Sequence, residues 1–324
     1  MTALYQVADL AVDLPLPGTL LSAILPGPKP KLNLLKDISL TLRPGETFGL
    51  VGESGSGKTT LARAMLGLVA ISDGTCAFNG QPLTTRAALT ALRQRSAMMF
   101  QDPIASLSPR MRIENLITEP FLIHRQPMPD RAQCAKDLLA RVGLPPQLAK
   151  RYPHELSGGQ ARRVCVARAL ALDPALVIAD EPTAGLDVSV QGEILNLMTD
   201  LKTDLGLTFL IITHNLAMIR HVADRIAILY LGRLIETGPT RAVFANPKHP
   251  YTRSLIASEP QPDPRKRRTD LAIRGEIPSL LRRPTGCEFH TRCALAMDHC
   301  RTVTPELRQI TPARSVRCHL ADAD

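Results

Sequence analysis

The stretch "GESGSGKT", residues 52 to 59, decides the fold. It follows the apolar run "TFGLV" and precedes "TLARAMLGL", so the pattern G-x-x-x-x-G-K-[ST] stands where a strand turns into a helix. The glycines let consecutive N–H groups point into one concavity at a helix start, where the helix dipole favours negative charge. Those two properties together make a phosphate cradle. Gly52, Glu53, Ser54, Gly55, Ser56, Gly57, Lys58, Thr59 and Thr60 are therefore the expected nucleotide-binding residues. Lys58 is placed to reach the β- and γ-phosphates, and the Thr59 hydroxyl to hold Mg²⁺.

Outward from this loop, short apolar runs bounded by Gly, Pro or Asp recur: "ETFGLVG", "SAMMF", "ALVIAD", "TFLIIT" and "RIAILYLG". They do not alternate, which suits strands buried on both faces of a parallel sheet, and helical segments separate them. The fold class is α/β. From Asp102 to about Leu156 the pattern is helical with Pro breaks and no strong strand, as in an inserted helical subdomain. A charged, Pro-rich linker is expected at residues 259–270, and "PLPGTLLSAILPGPKPK", residues 15 to 31, reads as a loop or hairpin.

Two further stretches carry candidate chemistry. "ALVIADEP", residues 175 to 182, ends an apolar strand in a carboxylate, where sheets of this kind hold ligands. Asp180 suits Mg²⁺, and Glu181 could orient or deprotonate an attacking water; taken alone, the pair also fits an acidic turn. "LSGGQ", residues 156 to 160, fits a capping box in which Ser157 is the N-cap and Gln160 answers it. Ser157, Gly158, Gly159 and Gln160 equally leave bare N–H groups aimed out of a helix start, which is an anion site.

The net charge of +9 over 324 residues calls for an anionic partner. With 3% aromatic residues and no Trp, there are few platforms for stacking bases, so nucleic acid is not expected. The start, "MTALYQVADLAVDL", lacks a basic region leading into an apolar one, and no apolar run of membrane-spanning length occurs. A cytosolic chain keeps its thiols reduced, so clustered ones suggest metal or redox chemistry. "CEFHTRCALAMDHC", residues 287 to 300, and Cys318 supply four in the spacing C-x5-C-x6-C-x17-C. That spacing lacks the C-x2-C pairs of structural zinc sites, although His290, His299 and His319 lie close in sequence. Cys76, Cys134 and Cys165 are scattered and read as small core residues.

With "LSGGQ" about a hundred residues beyond the phosphate loop, the first 240 or so residues resemble the nucleotide-binding subunit of an ABC transporter. The resemblance implies a P-loop NTPase cassette over residues 1–258 with its helical subdomain at about 102–156, binding ATP and Mg²⁺. Two such domains would sandwich two ATP molecules, each P-loop facing the partner's Ser157–Gln160 signature. On that model Gln101 in "MMFQDP" contacts Mg²⁺ and senses the permease, Glu155 is the coupling acid, Asp187 reaches across the dimer and His214 contacts the γ-phosphate. Two departures stand out. No aromatic residue lies between Tyr5 and Phe48 to stack on adenine, the aligned position being near Leu14, and Ala184 stands where the family often has Ser.

"QDPIASLSPRM", "YPHELSGGQ", "LDVSVQGEILNLM" and "HPYTRSL" resemble the oligopeptide/dipeptide group of importer ATPases. That group implies a C-terminal extension, here 259–324, in which Cys287, Cys293, Cys300 and Cys318 match a ligand set for a [4Fe-4S] cluster, with zinc as the alternative. It also implies a second ATPase subunit (homo- or heterodimer), two transmembrane permease subunits, an extracytoplasmic solute-binding protein, and a peripheral place on the cytoplasmic face of the inner membrane. The rival expectation is a soluble ABC ATPase acting in DNA repair or translation. Those carry paired cassettes, a long coiled coil or inserted zinc modules, and this chain has one cassette and no sustained heptads.

Overall fold

The computed structural model describes residues 3–15, 31–259 and 275–321. Residues 16–30 of the Pro-rich stretch and 260–270 of the expected linker lie outside them. In chain order the strands are β1 (Tyr5–Pro15), β2 (Lys31–Leu42), β3 (Thr47–Val51), β4 (Asp73–Phe78), β5 (Gln81–Pro82), β6 (Ser96–Met99), β7 (Leu176–Asp180), β8 (Thr208–Thr213), β9 (Arg225–Tyr230), β10 (Arg233–Pro239), β11 (Arg308–Thr311) and β12 (Arg314–Val316). The helices are α1 (Lys58–Met65), α2 (Arg86–Gln94), α3 (Pro103–Ser106), α4 (Ile113–Ile123), α5 (Arg131–Arg141), α6 (Gly158–Leu170), α7 (Val188–Leu205), α8 (Leu216–Val222), α9 (Thr240–Ala245), α10 (Pro250–Ala257) and α11 (Asp298–Thr302). The chain divides into two compact units: Met1–Leu42, Phe48–Thr84 and His214–Asp324 form one, Arg43–Thr47 and Thr85–Thr213 the other.

In the first unit, β11, β12, β10, β9 and β3 lie side by side in that order. β3 pairs in parallel with β9, and β9, β10, β12 and β11 continue antiparallel. Every residue of β3 is buried, as its unbroken apolar run requires. A second sheet, β2-β1-β4-β5, is wholly antiparallel and escapes the sequence reading. Its alternation is broken: the β1–β2 register slips between Val7 and Leu10, and Asp9 and Asp37 sit at φ 47° and 52°. A bulge of this kind shifts the phase of a period-two pattern, so the apolar face no longer reads as alternating.

The cysteine-bearing segment is fastened to this unit by strand pairing and buried charge. Glu236 on β10 is fully buried and accepts from Arg314 on β12 and from the backbone N–H groups of Lys248 and His249, both at 3.0 Å. Arg233 pairs with both Asp37 and Glu288. Cys76 is buried as expected.

In the second unit, β8, β7 and β6 form a parallel run with β7 central. Between Asp102 and Leu156 the described residues hold helices and no strand. Thr85 caps α2 and Asp130 caps α5, each accepting the N–H three residues on, which explains where both helices start. Cys134 and Cys165 are only partly buried, so they border the core rather than fill it.

Two stability predictions follow from the first unit. Glu236→Ala leaves the Arg314 guanidinium buried without its carboxylate and is expected to cost about 3–5 kcal/mol in denaturant unfolding; a loss well below that range would show the pair to be dispensable. Burial pushes the His249 imidazole from 6.5 down to about 3. Below 6.5 the unfolded chain takes up a proton that the folded chain refuses until about 3, so stability falls through that window as pH drops. His249 Nδ1 accepts from the Tyr251 N–H at the start of α10, a role Asn can take. His249→Asn is therefore expected to flatten the pH dependence of the thermal midpoint between pH 6.5 and 4 relative to wild type.

Candidate active site

The phosphate loop takes its shape from glycine where no side chain fits. A Cβ on Gly52 would stand 2.3 Å from the Leu229 carbonyl oxygen, so only glycine lets β3 turn into the loop beside β9. Gly57 precedes α1 at φ 105°, and no side chain caps that helix. Its first turn carries no acidic residue either. Ser56 is buried with its hydroxyl oxygen unpartnered among the described residues. Lys58 is 8% exposed and donates to the carbonyls of Gly52 and Glu53 at 2.7 and 2.9 Å. An orphaned hydroxyl, an uncapped helix start and an enclosed ammonium group form a donor set for a phosphate chain. Thr59 and Thr60 lie in the first turn of α1.

Three partners of this loop lay beyond motif reading. The Gly232 N–H donates to the Ser56 carbonyl at 2.8 Å. The Glu53 N–H donates to the Tyr251 hydroxyl at 3.1 Å, and Arg292 donates to both Glu53 carboxylate oxygens at 2.7 and 3.0 Å. Tyr251 and Arg292 are 198 and 239 residues from Glu53 along the chain, so no local pattern could expose them.

In the second unit, Asp180 ends β7 and is buried. Glu181 follows at φ 49°, a backbone conformation costly for a non-glycine residue. Several bonds hold it there. Its N–H donates to the Ile212 carbonyl at 2.8 Å, its carboxylate accepts from the Thr213 hydroxyl at 3.0 Å, and its carbonyl accepts from Arg162 at 3.3 Å. Arg162 is 3% exposed and also donates to the carbonyls of Ala184 at 2.6 Å and Gln101 at 3.5 Å. Burial lowers its pKa, although a guanidinium stays charged. Sequence reasoning missed Arg162, which sits just past the signature with no motif of its own.

Ser157 and Gln160 form the capping box of α6, bonding each other's backbone N–H groups at 3.2 and 3.1 Å. Asp187 caps α7 by accepting from the Val190 N–H and the Ser189 hydroxyl, and these bonds hold its carboxyl below the usual range. Glu155 accepts from the Tyr152 N–H. In the first unit, His214 directly follows β8 in sequence and Asn215 caps α8. Leu14 lies in β1 opposite Leu32 and is exposed.

The cysteine segment of the first unit is tightly turned. The Cys287 N–H donates to the Cys300 carbonyl, and a Cβ on Gly286 would stand 2.4 Å from that oxygen. Burial, with like charge from Cys318 and Cys300 added, pushes the Cys287 thiol up to about 12. Burial raises the Cys293 thiol as well, and the same two neighbours, Cys318 and Cys300, add to it. The Leu320 N–H donates to the Cys318 sulfur at 3.4 Å. His290 Nδ1 and His319 Nε2 each donate to a backbone carbonyl, which occupies those nitrogens. Among the described residues no group of three or more His, Cys, Asp or Glu side chains is arranged to hold a metal ion, so the arrangement supports neither the expected [4Fe-4S] cluster nor its zinc alternative.

Comparison with known proteins bears on these features. The ABC transporter family model matches residues 35–184. A Sinorhizobium fredii protein, y4tS, named for a peptide ABC transporter ATP-binding role, is 45% identical over 90% of this chain and 83% of its own length. The chain belongs to the ABC transporter family. Residues 235–300 of this ABC protein also match the family described as the C-terminal region of oligopeptide/dipeptide transporters. A Brucella abortus protein named for peptide import ATP binding is 47% identical over 89% of the chain and 87% of its own length.

Among solved structures, cbiO1 of Clostridium perfringens, part of the ABC transporter complex cbiONQ, is 27% identical with a TM-score of 0.65, covering 76% of this chain and 92% of that one. The ATP-binding cassette MJ0796, dimeric and in a post-hydrolysis state with ADP and phosphate, is 25% identical with a TM-score of 0.62, covering 73% and 99%. The protein is thus an ABC-type ATPase of transporter type, and the DNA-repair or translation reading is not favoured.

Proposed function

We propose that this ABC ATPase powers import of peptides or related small solutes, as a peripheral subunit on the cytoplasmic face of the inner membrane. The observation that carries the reading is the near full-length similarity to proteins named for peptide import, extending through residues 235–300 beyond the shared cassette. In the proposed chemistry the start of α1, Ser56 and Lys58 bind the ATP phosphates. Thr59, Asp180 and Gln101 supply oxygens suited to Mg²⁺, which neutralises charge developing on the phosphate oxygens. Glu181 orients and deprotonates the attacking water, its carboxylate aimed by Thr213 and its backbone held by Arg162. His214 contacts the γ-phosphate. Ser157, Gly158, Gly159 and Gln160 act on the nucleotide of a second ATPase subunit, of the same or a different kind, and Asp187 lies at that junction. The capping box suits this role because it orders the helix start whose N–H groups would meet the partner's phosphate.

Two permease subunits, served by an extracytoplasmic solute-binding protein, complete the proposed assembly. An open cavity of about 210 Å³ in the second unit, lined by Met98, Phe100, Pro120, Ile123 and Arg168 among others, supports a docking role. Phe100 and Ile123 of that lining are 48% and 64% exposed and Leu122 is 59% exposed, apolar surface of the kind that marks a protein interface. No described helix is long and apolar enough to cross a membrane, so membrane association would run through such a partner. The extension at 259–324 we assign a [4Fe-4S] cluster on Cys287, Cys293, Cys300 and Cys318. Four thiols, two buried and two half-buried, are the number such a cluster takes as ligands.

Glu181→Gln is expected to lower ATP hydrolysis by about 10²- to 10⁴-fold while nucleotide binding persists; hydrolysis at the wild-type rate would remove Glu181 from the base role. Anaerobically purified protein should carry about four irons and four acid-labile sulfides per chain, lost in Cys293→Ser. One zinc per chain, or neither metal, would overturn the cluster assignment.

A further inference from the structure

Glu53, the second residue of the phosphate loop, is tied at every polar group. Its N–H donates to the Tyr251 hydroxyl at 3.1 Å, its carbonyl accepts from Lys58 at 2.9 Å, and its carboxylate receives the paired Arg292 donation at 2.7 and 3.0 Å. The Arg292 side chain is 5% exposed, with its guanidinium 5.8 Å from the Tyr230 ring centre. Tyr230, Tyr251 and Phe289 close around it, with ring centres 4.7 to 5.3 Å apart. Three of the chain's eleven Phe and Tyr residues are thus gathered behind one loop residue, in a protein with no Trp. A two-point fork between guanidinium and carboxylate fixes direction as well as charge.

The chemistry of the loop gives this fork a purpose. A carboxylate at position 53 adjoins the site where phosphates carrying several negative charges must bind, and unpaired it would repel them. Arg292 cancels that charge and, with Tyr251, restrains the loop carbonyls on which Lys58 rests. We propose that Arg292, carried on the turn between Cys287 and Cys293, is a positioning residue for nucleotide binding: by neutralising and orienting Glu53, the C-terminal segment completes the phosphate loop of its own subunit. The nucleotide is not touched by Arg292. The inference rests on residues 52–59 being the phosphate site.

The test measures MgATP affinity calorimetrically on the full chain in a Glu181→Gln background, with thermal melts alongside. Arg292→Ala is expected to raise Kd about tenfold, and Arg292→Lys, which keeps charge without the fork, about threefold. Adding Glu53→Gln to Arg292→Ala should restore affinity to within about threefold of the background, because the charge needing cancellation is gone. If Arg292 only pins the C-terminal segment, Glu53→Gln will not rescue, and the proposal fails. Should Arg292→Ala not fold, Arg292→Lys with and without Glu53→Gln decides by the same rescue. Lys58→Ala separates the two levels. Loss of binding there with an unchanged Kd in Arg292→Ala overturns this proposal alone, whereas intact binding in Lys58→Ala overturns the phosphate site itself.

Discussion

The close approach of Gly52 to the Leu229 carbonyl is the constraint on which the phosphate site depends. A buried strand must end, turn sharply and start a helix whose N–H groups face a ligand, and a side chain at the turn would collide with β9 at 2.3 Å. Because β3 is buried along its whole length, the turn cannot relieve that collision by moving outward. Gly232 repeats the same logic from the other side, where a Cβ would stand 2.0 Å from the Leu34 carbonyl while the Gly232 N–H holds Ser56. The loop is therefore shaped by backbone clearance, and its donors are in place before any ligand arrives.

Charge is spent in this protein where apolar packing is scarce. The C-terminal segment offers little core of its own, a small cluster of Val316, Cys318 and Ala321 with Ile310 packed against it. Its attachment runs instead through Glu236 with Arg314, Glu288 with Arg233, and Glu53 with Arg292. Buried pairs of this sort specify an arrangement more than they stabilise it, since each charge is costly without its partner. That specificity is what an appended segment needs if it is to meet the phosphate loop in one register only.

In the second unit the same device serves strain. Glu181 occupies a left-handed backbone conformation, and Arg162 grips the carbonyls on either side of the turn, at Glu181 and Ala184. A carboxylate in the water-directing role proposed for Glu181 would gain from a backbone that cannot drift. The departure at Ala184, where the family often has Ser, leaves this grip intact because Arg162 takes the backbone oxygen.

The sequence by itself determined the glycine-shaped loop between strand and helix at residues 52–59, the α/β class, the parallel strands and the helical character between Asp102 and Leu156. Those features are local: glycine spacing, unbroken apolar runs and capping residues act within a few positions, so the chain order displays them. The antiparallel sheet of β1, β2, β4 and β5 was hidden because bulges at Asp9 and Asp37 break the alternation that would announce it. Tyr251, Arg292 and Arg162 were hidden for another reason. Tyr251 and Arg292 meet the backbone N–H and the carboxylate of Glu53 across 198 and 239 residues, and Arg162 meets backbone carbonyls that carry no side-chain identity. Only the tertiary structure decides such contacts, because which carbonyl or carboxylate an arginine meets depends on how buried surfaces pack and not on its neighbours in the chain.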